Sequence, residues 1–513
     1  MTELNSNQTD APESYWLTST TLPTFPALQQ DLDVDVLIVG AGITGITTAY
    51  LLKDSGLRIA IVEATSIANG TTGHTTAKIT AQHGVIYDEL LQHFGREKTS
   101  QYYQATDEAI QLIRNIVKEE NIQCELINED HYLYTTNNRG LTKLKKEQKA
   151  YEEVGIPSEW VEEVPFEMDI KAAIKMPNQS QFHPLRYIAH LVQELTNKNI
   201  QIYEHTVSTD IDAGDIQTVS TRNGAKVRTK YVVSASHFPF HDLPGLYFSR
   251  MYADRSYIVA VKTEKFPGGM YINADQPSRS LRYTMVDGEK LVLISGEEHK
   301  TGQGMDTLNH YEALEDFGRE LFGEIDVRYH WSAQDLVTLD KIPYIGELSK
   351  SHKNTFVATG FRKWGMTNST VAARLISDKI LGQVNPYEEL FSPSRFIADP
   401  SIKQFISYNA DVTKHLLRGK FENGDRLPEE LENDEGGVVT VDGKRAGAYK
   451  DPKGKLHIVD TTCTHMGCEV SWNHGERTWD CPCHGSRFSY DGEVIEGPAQ
   501  KSLTPLQEKS TEK

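Results

Sequence analysis

The pattern of apolar and polar positions predicts an α/β unit near the start of the chain. Residues 33–39 form an apolar run typical of a strand buried on both faces, and an amphipathic helical stretch follows at residues 46–52. Further apolar runs at residues 58–63 and 230–235 indicate more buried strands. A buried strand that leads directly into a helix is the first half of a βαβ unit.

The rest of the pattern predicts elements of two other kinds. We expect helices at residues 99–120 and at Pro184–Asn197, the second with proline in its first turn. Short strands separated by turn residues, as at residues 438–443 and 449–456, indicate a small antiparallel fold near the C-terminal end.

The turn between the first strand and its helix has the spacing of a dinucleotide-binding motif. Gly40 makes a tight turn, Gly42 lets the backbone approach a pyrophosphate, and Gly45 lets the helix pack on the strand. The N-terminus of the helix then faces the phosphates. Glu63, at the end of the second strand, is placed to bind the ribose hydroxyls of adenosine, which favours FAD or NAD over NADP.

Four potential iron ligands lie in two loops near the C-terminal end. One residue separates Cys463 from His465, and two residues separate Cys481 from His484. A Rieske-type [2Fe-2S] cluster binds one iron through two thiolates and the other through two imidazoles, so this set of residues suits it. A structural zinc ion would accept the same four ligands and is the alternative.

The two loops resemble the signature of Rieske proteins. In the Rieske proteins of cytochrome bc complexes a disulfide joins the loops, and the resemblance implies this bond for Cys468 and Cys483, although many Rieske oxygenases lack it. A zinc site would leave this pair unexplained. Ser486 is placed to donate a hydrogen bond to a cluster sulfur. Phe488 stands where the high-potential relatives carry a tyrosine, so we expect a lower reduction potential than theirs.

A second resemblance selects FAD as the nucleotide. Residues 68–76 resemble the flavin-contacting loop of D-amino-acid-oxidase-type flavoproteins, and the likeness recurs in segments across residues 15–395. It ends with residues 358–367, a loop that in this family closes beneath the flavin ring. Besides the glycine motif and Glu63, the resemblance implies FAD contacts from Thr72, His74, Val207, Gly360, Gly365, Met366 and Thr367. Some relatives bind the flavin covalently through a histidine at the place of His74, so covalent attachment and a polar contact both stay open.

The length of 513 residues suits about three domains. We predict an N-terminal extension (1–29) and a FAD-dependent oxidoreductase (30–395), in which an α/β FAD-binding Rossmann-like domain is interleaved with an α+β substrate domain. A linker (396–435) then leads to an all-β Rieske domain (436–510). Residues 422–435 of the linker hold seven acids and one arginine, which indicates a solvated segment or, alternatively, an acidic docking surface for an electron-transfer partner.

Together the two resemblances imply a flavin-dependent oxidoreductase that oxidises a small amine or amino acid. Electrons would pass from FAD through the Rieske [2Fe-2S] cluster to a soluble or membrane-associated acceptor. Carboxylate-binding relatives often use an arginine near the last flavin loop, where this chain has Arg362, Lys363 and Trp364; loop packing or surface charge is the alternative role. We name no catalytic base from the sequence, because hydride transfer from an amine requires only that the amine be deprotonated. The rival functions are a reductase that feeds an oxygenase or another acceptor, for which no second dinucleotide motif is visible, and a non-catalytic redox sensor.

Composition limits which binding partners and which cellular compartment we expect for this protein. A net charge of −19 argues against nucleic acid as a partner. Since no signal peptide or transmembrane run is visible in the sequence, we expect a cytoplasmic protein. Of the five cysteines only Cys124 lies outside the cluster loops, and we expect it to be an inert core thiol. A disulfide is unusual in the cytoplasm, but one between cluster loops can resist reduction by having a low potential.

Overall fold

The computed structural model describes residues 12–304, 306–395, 398–419 and 426–506. We call residues 12–395 the body and residues 426–506 the C-terminal domain. Parts of the predicted N-terminal extension, of the linker with its acidic window and of the last predicted domain lie outside the described residues, namely 1–11, 396–397, 420–425 and 507–510.

The parallel sheet predicted from the apolar runs forms one layer of the body. Its strands are β2 (Val36–Val39), β3 (Ile59–Val62), β8 (Gln201–Tyr203), β12 (Tyr231–Ser234), β18 (Tyr344–Ser349) and β19 (His352–Thr359). They lie in the order β18-β19-β12-β2-β3-β8, and all neighbours from β19 to β8 are parallel. Every residue of β2 and β3 is buried, which is why these strands are continuous apolar runs in the sequence.

Each face of this parallel sheet is covered by a different layer. One face carries three helices, α2 (Ile43–Leu52), α5 (Pro184–Asn197) and α7 (Gly365–Ile380). The other face carries a small sheet made of β1 (Leu32–Asp33), β9 (Ser208–Asp212), β10 (Gln217–Thr221) and β11 (Lys226–Thr229). Helix α5 has the predicted bounds, with Pro184 in the first turn and Nδ1 of His183 accepting a hydrogen bond from the backbone N–H of Arg186.

A larger sheet forms the second layer of the body. Its strands are β4 (Lys78–Ile79), β5 (Ile127–Thr135), β6 (Glu159–Val161), β7 (Ala172–Gln181), β13 (Met251–Lys262), β14 (Met270–Asn273), β15 (Arg279–Val286), β16 (Glu289–Lys300) and β17 (Asp326–Thr338). Their order is β17-β13-β16-β15-β14-β5-β7-β4, with β6 paired to β7, and the apolar pattern alone did not predict this order. The strands of the two sheets alternate along the chain, so the interleaved architecture is confirmed.

Three further helices flank the larger sheet. They are α3 (Tyr87–Glu119), α4 (Asn138–Val154) and α6 (Leu308–Phe322). Helix α3 begins well before the predicted residue 99, because Gly95, with φ of +75°, interrupts the helical pattern and separates its first turns from the rest.

The C-terminal domain consists of short antiparallel strands, as predicted. One sheet contains β20 (Glu435–Val441), β21 (Lys444–Lys450) and β22 (Leu456–Val459), and the other β23 (Ser471–Asn473), β24 (Thr478–Asp480), β25 (Arg487–Ser489) and β26 (Val494–Glu496). The turn signals within residues 449–456 are confirmed, because this range contains the end of β21, a turn and the start of β22. In this turn the side chain of Asp451 accepts hydrogen bonds from the backbone N–H groups of Lys453 and Lys455.

The other α-helices of the described residues are two of one turn each and one long helix. They are α1 (Tyr15–Thr18), α8 (Glu388–Phe391) and, between the body and the C-terminal domain, α9 (Ala398–Gly419). Helix α9 lies within the segment predicted as a linker, and its Val412 and Leu416 pack against the C-terminal domain. Among the described residues, no helix combines the length and the hydrophobicity needed to cross a bilayer.

Candidate functional site

A cavity of about 940 Å³ lies between the two sheets of the body. Most of the residues that the sequence predicted for FAD line it, and these are Gly40, Gly42, Glu63, Thr72, His74, Val207, Gly365 and Met366. Gly45, Gly360 and Thr367 lie behind its wall. A Cβ at Gly45 would stand 2.0 Å from the carbonyl oxygen of Gly40, so the third glycine serves helix packing as predicted.

The glycine turn forms one end of the cavity. Gly40 has φ of +107°, and a Cβ there would stand 2.5 Å from the carbonyl oxygen of Ala235, which directly follows the neighbouring strand β12. The carboxylate of Glu63 accepts hydrogen bonds from the backbone N–H groups of Ala41 (2.8 Å) and Thr65 (2.9 Å) and stays on the cavity wall. A turn without side chains, the start of a helix and a carboxylate are the elements that bind a dinucleotide, so this end fits the adenosine and pyrophosphate of FAD.

The predicted flavin loop is held on several sides. It forms a 3₁₀ turn at Thr71–His74, and Oγ1 of Thr72 accepts a hydrogen bond from the backbone N–H of Ile43 at the start of α2. Ser14 and Trp331 donate hydrogen bonds to the carbonyl groups of Gly73 and His74. The segment before β1 and strand β17 therefore hold the loop in place. A loop that contacts a flavin needs such rigidity.

His74 lies on the cavity wall in a neutral state. Burial lowers the pKa of its imidazole, so its deprotonated form is favoured near pH 7. Its Nδ1 lies 2.9 Å from the carbonyl oxygen of Gly70, which leaves Nε2 for a contact with a cofactor.

The last predicted loop, residues 358–367, turns sharply to reach the start of α7. Gly360, Arg362 and Lys363 all have positive φ, and a Cβ at Gly360 would stand 2.4 Å from Cγ2 of Thr338. Arg362 donates a hydrogen bond to the carbonyl group of His83, and Thr367 donates one to that of Thr80. Because Gly365 and Met366 line the cavity, the N-terminus of α7 faces it and favours negative charge there.

Acidic side chains on adjacent strands line the opposite wall of the cavity. Nζ of Lys363 lies 3.3 Å from Asp254 on β13, 3.5 Å from Glu298 on β16 and 3.9 Å from Asp335 on β17. Burial raises the pKa of Asp254 to about 6. Burial alone would lower the pKa of Lys363, but the three carboxylates, Asp254 first, raise it above its ordinary value. We call these four residues the acidic wall.

Sequence reasoning did not identify the acidic wall. Lys363 was named as a possible anchor for a substrate carboxylate, but Asp254 and Glu298 were given no role. They belong to strands that only the sheet order brings together. No alternation of polar residues marks the cavity side of β13, because Asp254, Arg255 and Ser256 are consecutive, and only the pleat of the strand places Asp254 and Ser256 on that side.

The four predicted iron ligands lie together in the C-terminal domain. The thiols of Cys463 and Cys481 are buried and hydrogen-bonded to each other, and the rings of His465 and His484 are perpendicular with centroids 5.0 Å apart. Within the described residues, Nδ1 of His465 is buried without a hydrogen-bond partner. Such an atom needs a ligand, because an unpaired buried polar group is costly.

The protonation of these residues also suits a metal cluster. The hydrogen bond between the two thiols lowers the pKa of Cys463, which favours its thiolate, and raises the pKa of Cys481, which keeps its proton until a metal displaces it. Burial lowers the pKa of His465 to about 4 and that of His484 to about 3, so both imidazoles are neutral. Thiolates and neutral imidazoles are the forms that bind metal. Ser486, predicted to bond a cluster sulfur, has its side chain hydrogen-bonded to the thiol of Cys463.

The predicted disulfide is present. Cys468 and Cys483 are bonded to each other and join the two loops. The remaining cysteine, Cys124, is buried, and burial raises the pKa of its thiol to about 12. An un-ionised thiol is a poor nucleophile, as expected for a core residue.

The cluster loops face the body. The ring of Phe248 lies 5.4 Å from that of His465 and 5.3 Å from that of His484, and Tyr408 of α9 donates a hydrogen bond to the carbonyl group of Cys483. Nε2 of Gln334 on β17 donates a hydrogen bond to the carbonyl group of Gly485. The larger sheet thus has the cavity on one face and the cluster loops on the other.

Two family models match this chain. The model described as FAD dependent oxidoreductase matches residues 35–379, and the Rieske [2Fe-2S] domain matches residues 425–507. These matches favour the iron–sulfur cluster over the zinc alternative.

Known proteins agree with both matches. The putative Rieske 2Fe-2S iron-sulfur protein YhfW of Bacillus subtilis is 52% identical over 498 residues, which cover 97% of this chain and 98% of that protein. The gamma-glutamylputrescine oxidoreductase of Escherichia coli is 21% identical over 71% of this chain and 87% of its own. The crystal structure of L-proline dehydrogenase from P. horikoshii shares the fold with a TM-score of 0.60 and 17% identity, over 72% of this chain and 98% of that one.

The fold, the cavity and the cluster loops agree with these matches, and FAD and a [2Fe-2S] cluster are the cofactors of the two parts. The chain belongs to the FAD dependent oxidoreductase family, of the D-amino-acid-oxidase type, and carries a Rieske [2Fe-2S] domain after its oxidoreductase domain.

Proposed function

We propose that this flavoprotein oxidises a small cationic amine and passes the electrons through its Rieske cluster to an external one-electron acceptor. The substrate loses a proton from its ammonium group and a hydride from the carbon next to its nitrogen, and so becomes an iminium ion, which gives an imine when it releases a second proton to water. When bound, FAD takes up a hydride and the [2Fe-2S] cluster takes up single electrons, and the protein supplies binding, orientation and electrostatics.

The acidic wall is the observation that carries the proposal. Three carboxylates share one ammonium group, so the wall keeps a net negative charge when they are ionised. Such a wall attracts a cation and disfavours an anion. An amine therefore suits the cavity better than an amino acid, whose carboxylate would need a free positive charge.

The two basic residues of the last flavin loop already have partners in the structure. Lys363 is neutralised by the acidic wall, and Arg362 donates a hydrogen bond to the carbonyl group of His83. Moving Lys363 to a substrate carboxylate would leave three buried carboxylates without their counter-ion. The positions of Lys363 and Arg362 thus support an amine, rather than an amino acid, as the substrate.

Asp254 is the group suited to take the proton of the substrate ammonium. Its pKa of about 6 is near the operating range of a proton acceptor at neutral pH. Ser256 lies two residues further along the same strand and also lines the cavity. The neighbour of Asp254 on this face is therefore polar but uncharged.

Anaerobic reduction with matched substrates tests the proposal. We would mix the holoprotein with a primary amine and, separately, with the α-amino acid that yields this amine on decarboxylation. We expect the amine to bleach the flavin absorbance and then to produce the EPR signal of the reduced cluster. Bleaching by the amino acid alone would contradict the proposed substrate class.

Two further outcomes would support the rival functions. Bleaching by NADH or NADPH, and not by amines, would favour a reductase that feeds an oxygenase or another acceptor. A flavin that none of these compounds reduces would favour a redox sensor. If an amine bleaches the flavin while the cluster stays oxidised, the proposed transfer between the two cofactors is wrong.

A further inference from the structure

One segment of the C-terminal domain forms part of the cavity in the body. Residues 493–500, which contain β26, line the cavity beside the residues predicted to hold FAD. We call this segment the strap. The rest of the cavity lining comes from the body, so two domains build one cavity.

The strap is fixed to the body along its length. At one end, the side chain of Gln500 donates a hydrogen bond to the carbonyl group of Phe240, and Arg222 donates one of 2.6 Å to the carbonyl group of Gln500. In the middle, a Cβ at Gly497 would stand 3.6 Å from Cβ of Phe238, which is van der Waals contact. These residues of the body line the cavity as well, near Val207 at the predicted adenosine end.

Buried charges fix the other end of the strap. The guanidinium of Arg255 on β13 is fully buried and lies 3.8 Å from the carboxylate of Glu496 in the strap and 3.7 Å from Glu476. Arg487 lies at similar distances from the same two carboxylates. The charges of Glu476 and Glu496 also act on the pKa of His74, so this end of the strap is close to the predicted flavin loop.

The strap also contacts the cluster loops. The backbone N–H of Ala499 donates a hydrogen bond of 3.0 Å to Oγ of Ser486, and the side chain of Ser486 is hydrogen-bonded to the thiol of Cys463. Ala499 lines the cavity, so a chain of hydrogen bonds connects the cavity wall to an iron ligand. One short segment therefore joins the environments of the two cofactors.

We propose that the strap is part of the FAD-binding site, so that the C-terminal domain closes the cavity over the bound cofactor. FAD then enters or leaves only when the strap moves away from the body. The two effects are linked. The free energy by which bound FAD stabilises docking of the C-terminal domain equals the free energy by which docking strengthens FAD binding. This inference rests on the FAD cavity and not on the identity of the substrate.

Hydrogen exchange tests the proposal on the unmodified chain. With its cluster intact, the protein would be compared in the FAD-free and FAD-loaded states, and amide exchange would be followed by mass spectrometry. We expect FAD to slow exchange in residues 493–500 at least tenfold, because opening of the strap must then precede release of the cofactor. Exchange in the hairpin of β20 and β21, which does not line the cavity, should not change. Equal exchange of the strap in both states would overturn the proposal.

A matched pair of glutamine variants provides a second measurement. Gln500→Ala removes the hydrogen bond from the strap to Phe240, whereas Gln193→Ala removes a hydrogen bond on the exposed side of α5. Both side chains are exposed, so both variants should fold. We expect FAD release, followed by the rise in flavin fluorescence, to be about fivefold faster in Gln500→Ala and unchanged in Gln193→Ala. Equal release rates in the two variants would contradict the inference, whatever the activity of the enzyme.

Discussion

Asp254 and Asp335 lie directly opposite each other in the antiparallel pair of β13 and β17, and both carboxylates face the ammonium group of Lys363. Like charges at opposed positions of a sheet destabilise it unless a counter-ion lies between them. Lys363 supplies this counter-ion from the loop that the family places beneath the flavin. The pairing of β13 with β17 and the path of the last flavin loop thus place negative charge where the proposed amine would bind.

Removing one carboxylate of the acidic wall should weaken the binding of a cationic amine. Loss of a charge-assisted contact costs about 1.5 to 3 kcal/mol, so we expect KM in Asp254→Asn to rise at least about tenfold. Ser256→Ala, on the same cavity face, should change KM little. Steady-state kinetics with the amine identified by the anaerobic screen checks both variants. Equal KM values in Asp254→Asn and the unmodified protein would remove Asp254 from the substrate site.

The pH dependence of amine binding provides a separate test of Asp254. Burial raises its pKa to about 6, so its negative charge is present above pH 6 and is lost as the pH falls through this value. We expect 1/KM for the amine to fall below about pH 6 in the unmodified protein. This fall should be absent in Asp254→Asn. A fall of the same size in both proteins would assign it to another group.

The reduction potential of the cluster should respond to single hydroxyl groups. Phe488 is fully buried and packs in the same apolar cluster as the two cysteine ligands. A hydroxyl at this position in Phe488→Tyr should stabilise the reduced cluster by about 1 kcal/mol, which raises a one-electron potential by roughly 40 mV. Ser486→Ala removes a hydrogen bond to Cys463 and should lower the potential by a similar amount. Protein-film voltammetry measures both, and shifts in the same direction would refute this account.

A buried ion pair should stabilise the end of the body. Arg395 forms two hydrogen bonds of 2.8 Å with the carboxylate of Asp340, and both side chains are buried. Arg395→Met leaves a buried carboxylate unpaired, so we expect the free energy of unfolding to fall by about 3 to 5 kcal/mol. Urea titration followed by tryptophan fluorescence measures this loss. Lys98→Met, which breaks an exposed pair with Glu389, is the control and should cost less than about 1 kcal/mol.

The ion pair between Asp340 and Arg395 should stabilise the protein only above a certain pH. Burial would raise the pKa of Asp340, but the pairing with Arg395 outweighs it and holds the pKa below its ordinary value. The contribution of the pair is therefore complete above about pH 4 and is lost as the pH falls through the lowered pKa. Between pH 5 and pH 8 the difference in stability between Arg395→Met and the unmodified protein should stay constant. A difference that disappears already at pH 6 would show that the pair is not the cause.

We expect the flavin to be bound without a covalent bond. Nδ1 of His74 is held by the carbonyl group of Gly70, and a polar contact of Nε2 with FAD is enough to satisfy the ring without a covalent bond. Acid precipitation of the holoprotein should therefore leave the flavin in the supernatant. A yellow pellet would show covalent attachment, and its loss in His74→Ala would assign the bond to this residue.

Local sequence patterns predicted the parts whose geometry is encoded within a few residues. The glycine turn and the two cluster loops are single segments, and their spacing fixes which atoms can reach one ligand. The buried strands β2 and β3 were visible because burial on both faces selects apolar residues at every position. The turn between β21 and β22 was visible because Asp451 and Gly454 are typical turn residues between two short strands.

The sequence by itself determined the family, the cofactors and the disulfide, and it predicted the four iron ligands. Only the tertiary structure brought Asp254, Glu298 and Asp335 around Lys363 and placed the strap on the wall of the FAD cavity. These groups come from strands and loops that are far apart in the chain, and the register of β13 with β16 and β17 decides which side chains share a face. Register and domain docking depend on packing between distant segments, and a local pattern of residues carries little information about either.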